Sequence, residues 1–194
     1  MEYDSFHKPN KGSFKVQSIN YINKYYAYNC LGEFDSARHI ILSSPPPEIV
    51  KSQVYAAMYN INAAHQDIVD GNYEKARQKL EYARNLKIPK NSRKAFADAI
   101  DGNEATILRK QGHLEESRKL YNTLLQKAKH KIRILGCTYA LGLIDIEEQK
   151  YDEARTALTK VAEEGNKLYI ASQARQTLES CPYFDSWKKV KRDG

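Results

Sequence analysis

The sequence predicts an all-α fold, a stack of about four helical hairpins closed by a capping helix at the C-terminal end. Three observations carry this. One short pattern recurs four times along the chain. The segments on either side of each copy place apolar residues at steps of three and four, the spacing of one helix face. Glycine, proline and capping residues fall between those segments, and no stretch shows the strict alternation of a half-buried strand.

The pattern is a turn residue, a polar residue, an aromatic or aliphatic residue, two polar residues and a small residue, with an apolar residue four positions further on. Its copies are Gly32-Glu33-Phe34-Asp35-Ser36-Ala37 with Ile41, Gly71-Asn72-Tyr73-Glu74-Lys75-Ala76 with Leu80, Gly112-His113-Leu114-Glu115-Glu116-Ser117 with Tyr121, and Gln149-Lys150-Tyr151-Asp152-Glu153-Ala154 with Leu158. The small residues are 39, 41 and 37 positions apart, an irregular period near forty. Glycine ends one helix by taking the left-handed conformation without a side-chain clash, and the acidic residues after it favour the start of the next. The small residue lets two helices approach closely. Beyond it one apolar face continues, as in Ala76, Leu80, Ala83 and Leu86; before the turn lies another, Val54, Met58, Ile61, Ala64 and Ile68. One repeat is therefore a helical hairpin.

First helices of the hairpins are expected near 16–30, 48–70, 92–111 and 132–148, and second helices near 34–43, 73–87, 114–129 and 151–164. The connection Ser43-Ser44-Pro45-Pro46-Pro47 cannot continue a helix, and Pro89 with Asn91-Ser92 stops one helix and caps the next. A ninth helix near 166–180, with Leu168, Ile170, Ala171, Ala174 and Leu178, is expected to cover Leu158 at the open end of the stack. Residues 1–12 read as a loose N-terminal segment, 13–182 as one repeat domain and 183–194 as a basic C-terminal tail containing Lys188, Lys189, Lys191 and Arg192.

In these features the chain resembles the tetratricopeptide repeat family, whose motif holds a Leu-Gly pair and a small residue followed four positions later by a large apolar one. Leu141-Gly142 matches the pair in the fourth repeat, Tyr28 matches the aromatic residue of the first helix in the first repeat, and Pro89 lies near the usual end of the second helix. Residues 16–164 carry the resemblance. The spacings exceed the family's usual length of about 34 residues, and the aromatic slot of the later repeats holds Asp67, Leu108 and Asp145. The resemblance implies a right-handed superhelix of stacked hairpins, an α-solenoid, in which the first helices line a concave surface that holds a peptide or helix of a partner protein.

Chemistry of other kinds lacks its usual frame. No apolar run approaches the roughly 18 residues of a membrane span, and residues 1–12 lack the pattern of a signal peptide. The three cysteines, Cys30, Cys137 and Cys181, are odd in number and widely spaced, which suggests neither a disulfide framework nor a paired zinc site. A reducing, cytoplasmic setting is expected, with Cys30 and Cys137 as small apolar packing residues; the chain can also be the soluble part of a longer membrane-anchored protein. His7, His39, His65, His113 and His130 are scattered without metal-binding spacing, and no glycine-rich phosphate loop or nucleophile elbow occurs. Acidic pairs such as Glu115-Glu116 point about 100° apart on a helix and belong to helix starts. No cofactor and no enzymatic activity are expected.

Binding is read from two surfaces. Counting back from each turn residue, the groove positions implied by the resemblance are Ile22, Asn23 and Tyr26, then Ile61, Asn62 and His65, then Gly102, Asn103 and Thr106, then Tyr139, Ala140 and Leu143. Asn23, Asn62 and Asn103 share one slot, where an amide can bond both groups of an extended peptide backbone or simply face solvent. Tyr21, Tyr25 and Tyr28 share one face of the first helix, as packing residues would, while Tyr26 points away from them. His65 is the one histidine placed in the groove, where it reads as a partly buried residue with a polar contact rather than as a metal ligand or a general base. The second surface is a basic edge at the connections leaving the second helices, with Arg84, Lys87, Lys90, Arg93 and Lys94 at one and Lys127, Lys129, Lys131 and Arg133 at the next, opposite acidic turns inside the hairpins. The excess of Lys and Arg, 31 against 24 Asp and Glu for a net charge of +7, suits an acidic partner. The leading expectation is a protein-binding adaptor or scaffold acting through its groove; the alternative is an edge that binds nucleic acid or an anionic membrane face.

Overall fold

The computed structural model describes residues 14–43 and 51–184. Among them are nine α-helices and no strand: α1 (Phe14–Leu31), α2 (Phe34–Leu42), α3 (Gln53–Val69), α4 (Tyr73–Asn85), α5 (Lys90–Lys110), α6 (Leu114–Lys127), α7 (Lys131–Glu147), α8 (Tyr151–Glu164) and α9 (Tyr169–Ser180). A 3-10 turn, Pro182–Phe184, follows. The pairs α1–α2, α3–α4, α5–α6 and α7–α8 form antiparallel hairpins, and each hairpin packs against the next in chain order. The expected segments 1–12 and 44–47 and the lysine-rich tail from residue 185 lie outside the described residues.

The four turns share one geometry. Gly32, Gly71, Gly112 and Gln149 all have positive φ, at 80°, 77°, 84° and 62°. In each, the turn residue's N–H donates to the carbonyl three positions back, and the next N–H donates to the carbonyl five positions before it, as in Gly71 to Ile68 and Asn72 to Asp67. This double bond closes the end of the first helix, and the left-handed residue reverses the chain into the second. Gln149 makes the same bonds as the glycines, to Ile146 and, through Lys150, to Asp145. The small residues Ala37, Ala76, Ser117 and Ala154 are wholly buried, and Ile41, Leu80, Tyr121 and Leu158 lie buried beside them. Ser117 satisfies its hydroxyl by donating to the Ala105 carbonyl at 2.7 Å.

The core is correspondingly modular. One cluster joins the second hairpin to α5 through Ile61, Ile68, Leu80, Ile88, Ile100 and Ile107. Another joins the third hairpin to α7 through Tyr121, Leu124, Cys137, Leu141 and Ile144. In the last, Leu135, Leu158, Val161 and Ala174 are packed with Phe184. Each buried side chain of this size contributes about 1.5–3 kcal/mol relative to exposure, so every hairpin depends on its neighbour.

Successive hairpins are also tied by charge. The residue after each small residue is arginine: Arg38, Arg77, Arg118 and Arg155. Arg38 pairs with Asp70 at 2.9 Å, Arg77 donates to Gln111 at 2.9 Å, and Arg118 reaches Glu148 at 2.8 Å. Asp70, Gln111 and Glu148 each stand immediately before the next turn residue. Additional carboxylates strengthen two of these ties, Glu104 on Arg77 at 3.0 Å and the buried Asp145 on Arg118 at 2.6 Å.

Several boundaries differ from expectation. Helix α3 begins at Gln53, because Ser52 is extended, and the expected start at residue 48 lies outside the described residues. Helix α9 begins at Tyr169 rather than 166, because Leu168 is extended and Asn166 has positive φ. The packed region also runs past residue 182, since Phe184 is buried and Tyr183 stacks on Tyr151 with ring centroids 4.4 Å apart. The ends of the array meet as well: α9 packs on α1 and α7, and Tyr169 meets Phe34 edge-to-face at 4.7 Å.

This contact separates otherwise equivalent turns. A Cβ on Gly71 or Gly112 meets nothing within 4 Å, whereas one on Gly32 would lie 2.5 Å from the Tyr169 ring. Gly71→Ala and Gly112→Ala should each cost about 1–2 kcal/mol through the left-handed backbone alone. Gly32→Ala should cost about 1–3 kcal/mol more from overpacking, and a Tyr169→Ala background should erase that excess. Urea unfolding of the five variants measures this; equal costs at all three glycines would show that α9 does not rest on the first hairpin.

Candidate functional site

The first helices of three hairpins border an open cavity of about 230 Å³, lined by Ile22, Asn23 and Tyr26 of α1, Met58, Ile61 and Asn62 of α3, and Ala95, Phe96 and Ala99 of α5. Its wall is mostly apolar. Ile22 and Ile61 are buried, while Tyr26 is 54% exposed at the rim. Asn62 lies between the first two hairpins and donates to the Ile22 carbonyl at 3.3 Å. Asn23 is exposed. Desolvation of the Tyr26 hydroxyl, with Cys30 beside it, pushes its pKa up to about 12, and the Arg133 guanidinium of α7 opposes that shift.

Five groove positions taken from the sequence, Ile22, Asn23, Tyr26, Ile61 and Asn62, thus converge on one cavity. The others go elsewhere. His65 faces α1, where its Nδ1 lies 2.9 Å from the Tyr25 hydroxyl, and burial lowers its pKa. Asn103 is buried and donates to the Ala99 carbonyl of its own helix, so the three asparagines of the shared slot are not equivalent. Thr106 donates to the Gly102 carbonyl at 2.9 Å and meets the Tyr121 hydroxyl at 2.7 Å inside its hairpin. Tyr139 packs with the last core cluster, Ala140 is buried in the one before it, and Leu143 is partly buried.

Met58, Ala95, Phe96 and Ala99 were missed, and the reason is geometric. In α1 and α3 the wall lies six to thirteen residues before the turn, but in α5 it lies thirteen to seventeen before it. Helix α5 is the longest, at 21 residues, and presents its N-terminal half. The apolar trio Ala95, Phe96 and Ala99, at helical spacing, was the available signal.

The tyrosine face is used for packing and polar closure. Tyr21 donates to the carbonyls of Ile40 and Ser43, the latter at 2.9 Å, and burial raises its pKa to about 12. Tyr28 is partly buried against the core of the first hairpin. Burial also raises the thiols of Cys30 and Cys137. Among the described residues no group of three His, Cys, Asp or Glu stands close enough to share a metal ion, and no helix is long and apolar enough to cross a membrane.

The basic edge is partly neutralised. Arg84 pairs with Asp101 at 3.7 Å, Lys131 with Glu164 at 3.7 Å, and Arg133 with Asp98 at 3.2 Å. Arg93 donates to the Ile88 carbonyl at 3.4 Å. Lys87, Lys94, Lys127 and Lys129 are exposed and form no ion pair among the described residues.

His65 makes stability depend on pH. Its folded-state pKa lies below the ordinary value of 6.5, so the unfolded chain takes up the proton first as pH falls. The buried neutral ring shares a hydrogen bond with the Tyr25 hydroxyl, and the stability that comes from keeping it neutral is complete above about pH 6.5 and lost as pH drops through the folded-state value. The drop in unfolding free energy between about pH 7 and about pH 5 should shrink in His65→Gln, measured by denaturant titration. An unchanged pH profile would show that His65 titrates normally.

Compared with protein-family models, with curated proteins and with solved structures, the chain finds no match.

Proposed function

We propose that this chain is a non-enzymatic protein-binding module of the tetratricopeptide kind, a right-handed α-solenoid that receives a segment of a partner protein on its first-helix surface. One observation carries the reading: the cavity of about 230 Å³ is built by three successive hairpins and lined by apolar side chains with two asparagines. Such a wall, with a few amides to orient a backbone, is the usual make-up of a recognition pocket. An engineered apolar cavity of about 150 Å³ admits a benzene, so this one has room for a single large side chain. The asparagines then address the peptide groups on either side of it. Three free cysteines suit a reducing, cytoplasmic setting.

The test separates cavity from edge. Ala95 is exposed within the wall, so Ala95→Phe fills the cavity without disturbing the core. A tagged protein should recover a partner from lysate of its source cells, and Ala95→Phe should reduce recovery about tenfold or more, a loss of about 1.4 kcal/mol. The combined reversal of Arg93, Lys94, Lys129 and Lys131 to Glu should leave part of the recovery intact. Loss only with the reversal, together with steep salt dependence, would favour binding of nucleic acid or an anionic membrane face through the edge instead.

A further inference from the structure

We infer that the segment entering the cavity is acidic: one large apolar side chain fills the cavity, and carboxylates on its neighbouring residues meet lysine and arginine at the mouth. This rests on the reading of the cavity as the partner site, and it adds the chemistry of the occupant.

The argument comes from the charges on the three helices that form the wall. Helix α1 carries no Asp or Glu. In α3 the sole carboxylate is Asp67, and it is paired with Lys79. In α5 there are three, and each has a partner: Asp98 with Arg133 at 3.2 Å, Asp101 with Arg84 at 3.7 Å and Glu104 with Arg77 at 3.0 Å. Every carboxylate on the wall helices is therefore already answered by a cation.

Four cations beside the wall residues are not answered in turn. Lys24 follows Asn23 directly, and Lys90, Arg93 and Lys94 fill the start of α5 just before Ala95 and Phe96. All four are exposed and form no ion pair among the described residues. The first turn of α5 holds no acid. Lys24 adjoins Asn23 and Lys94 adjoins Ala95 in the chain, so their backbones stand beside the wall, about 3.8 Å away from Cα to Cα. A basic segment would meet like charge at this rim, while an acidic one gains steering and register. The apolar wall, free of charged residues, requires an uncharged side chain at the centre.

A phage-displayed library of random 12-residue peptides provides the probe, selected on the wild-type protein and counter-selected on Ala95→Phe. Peptides retained by the first and lost by the second should carry one Leu, Ile, Met, Phe or Trp flanked closely by Asp or Glu. Their synthetic versions should bind several-fold more weakly as salt rises to physiological strength. The double variant Lys24→Glu with Lys94→Glu, altered only at exposed positions, should shift the selected flanks toward Lys and Arg. Cavity-dependent peptides with neutral or basic flanks would overturn the acidic occupant and leave the cavity reading intact. A selection with no peptide that Ala95→Phe loses would overturn both.

Discussion

The arginine that follows the buried small residue in each of the first three hairpins holds that hairpin to the next. Arg38, Arg77 and Arg118 leave the second helix of one hairpin and end on Asp70, Gln111 and Glu148, the last residue before the next turn. A hydrophobic interface between two helices is tolerant of sliding, because burial has no direction. A guanidinium bonded to a fixed point beside a left-handed turn is not. The turn itself is held by two backbone bonds, so each arginine is anchored to the best-determined spot on its neighbour. Arg118 shows the strongest version: the bonds it donates to Asp145 and Glu148 outweigh the burial of its charge, and its pKa is raised. Glu148 is held below its ordinary value, chiefly by Lys150 and then by Arg118.

This repeated register explains the cavity. It forms where α1, α3 and α5 run side by side, and it needs all three hairpins at fixed offsets. Two further ties reach across to the fourth: Arg109 to Glu147 at 2.5 Å and Arg133 to Asp98 at 3.2 Å. The contact of Tyr169 with Phe34 then brings α9 back to the first hairpin. The last helix therefore both covers Leu158 and touches the beginning of the array. Slots where an aromatic residue was expected hold Asp67 and Asp145 because those carboxylates take part in ion pairs, with Lys79 and Arg118.

What was legible in the sequence was local. The turn glycines, the small residues and the apolar residues four positions later act through the backbone and nearest neighbours, and all four copies adopt one geometry. Even Gln149, which has the wrong side chain for a left-handed residue, was identified by its place in the pattern. Relations between repeats were less legible. Counting groove positions back from each turn assumes equal offsets, and α5 breaks that assumption by presenting Ala95, Phe96 and Ala99 where Asn103 and Thr106 were expected. His65 left the groove because Tyr25, forty residues earlier, offers its hydroxyl. The Tyr169 contact spans most of the chain and left no periodic trace. The arginine after each small residue, by contrast, stood in plain view at four equivalent positions; its meaning depends on knowing which turn lies opposite.

The account rests on these arginines acting as specific ties rather than as solvated charges, and Arg118 with Asp145 is the pair that decides it. The two lie 2.6 Å apart, with Asp145 only 9% exposed at its side chain. A double-mutant cycle of Arg118→Ala and Asp145→Ala, read by urea unfolding, should give a coupling of about 1–3 kcal/mol, the range for hydrogen bonds to charged groups and contacting partners. Additive single-mutant costs, with coupling indistinguishable from zero, would contradict the claim and leave apolar burial alone to set how one hairpin meets the next.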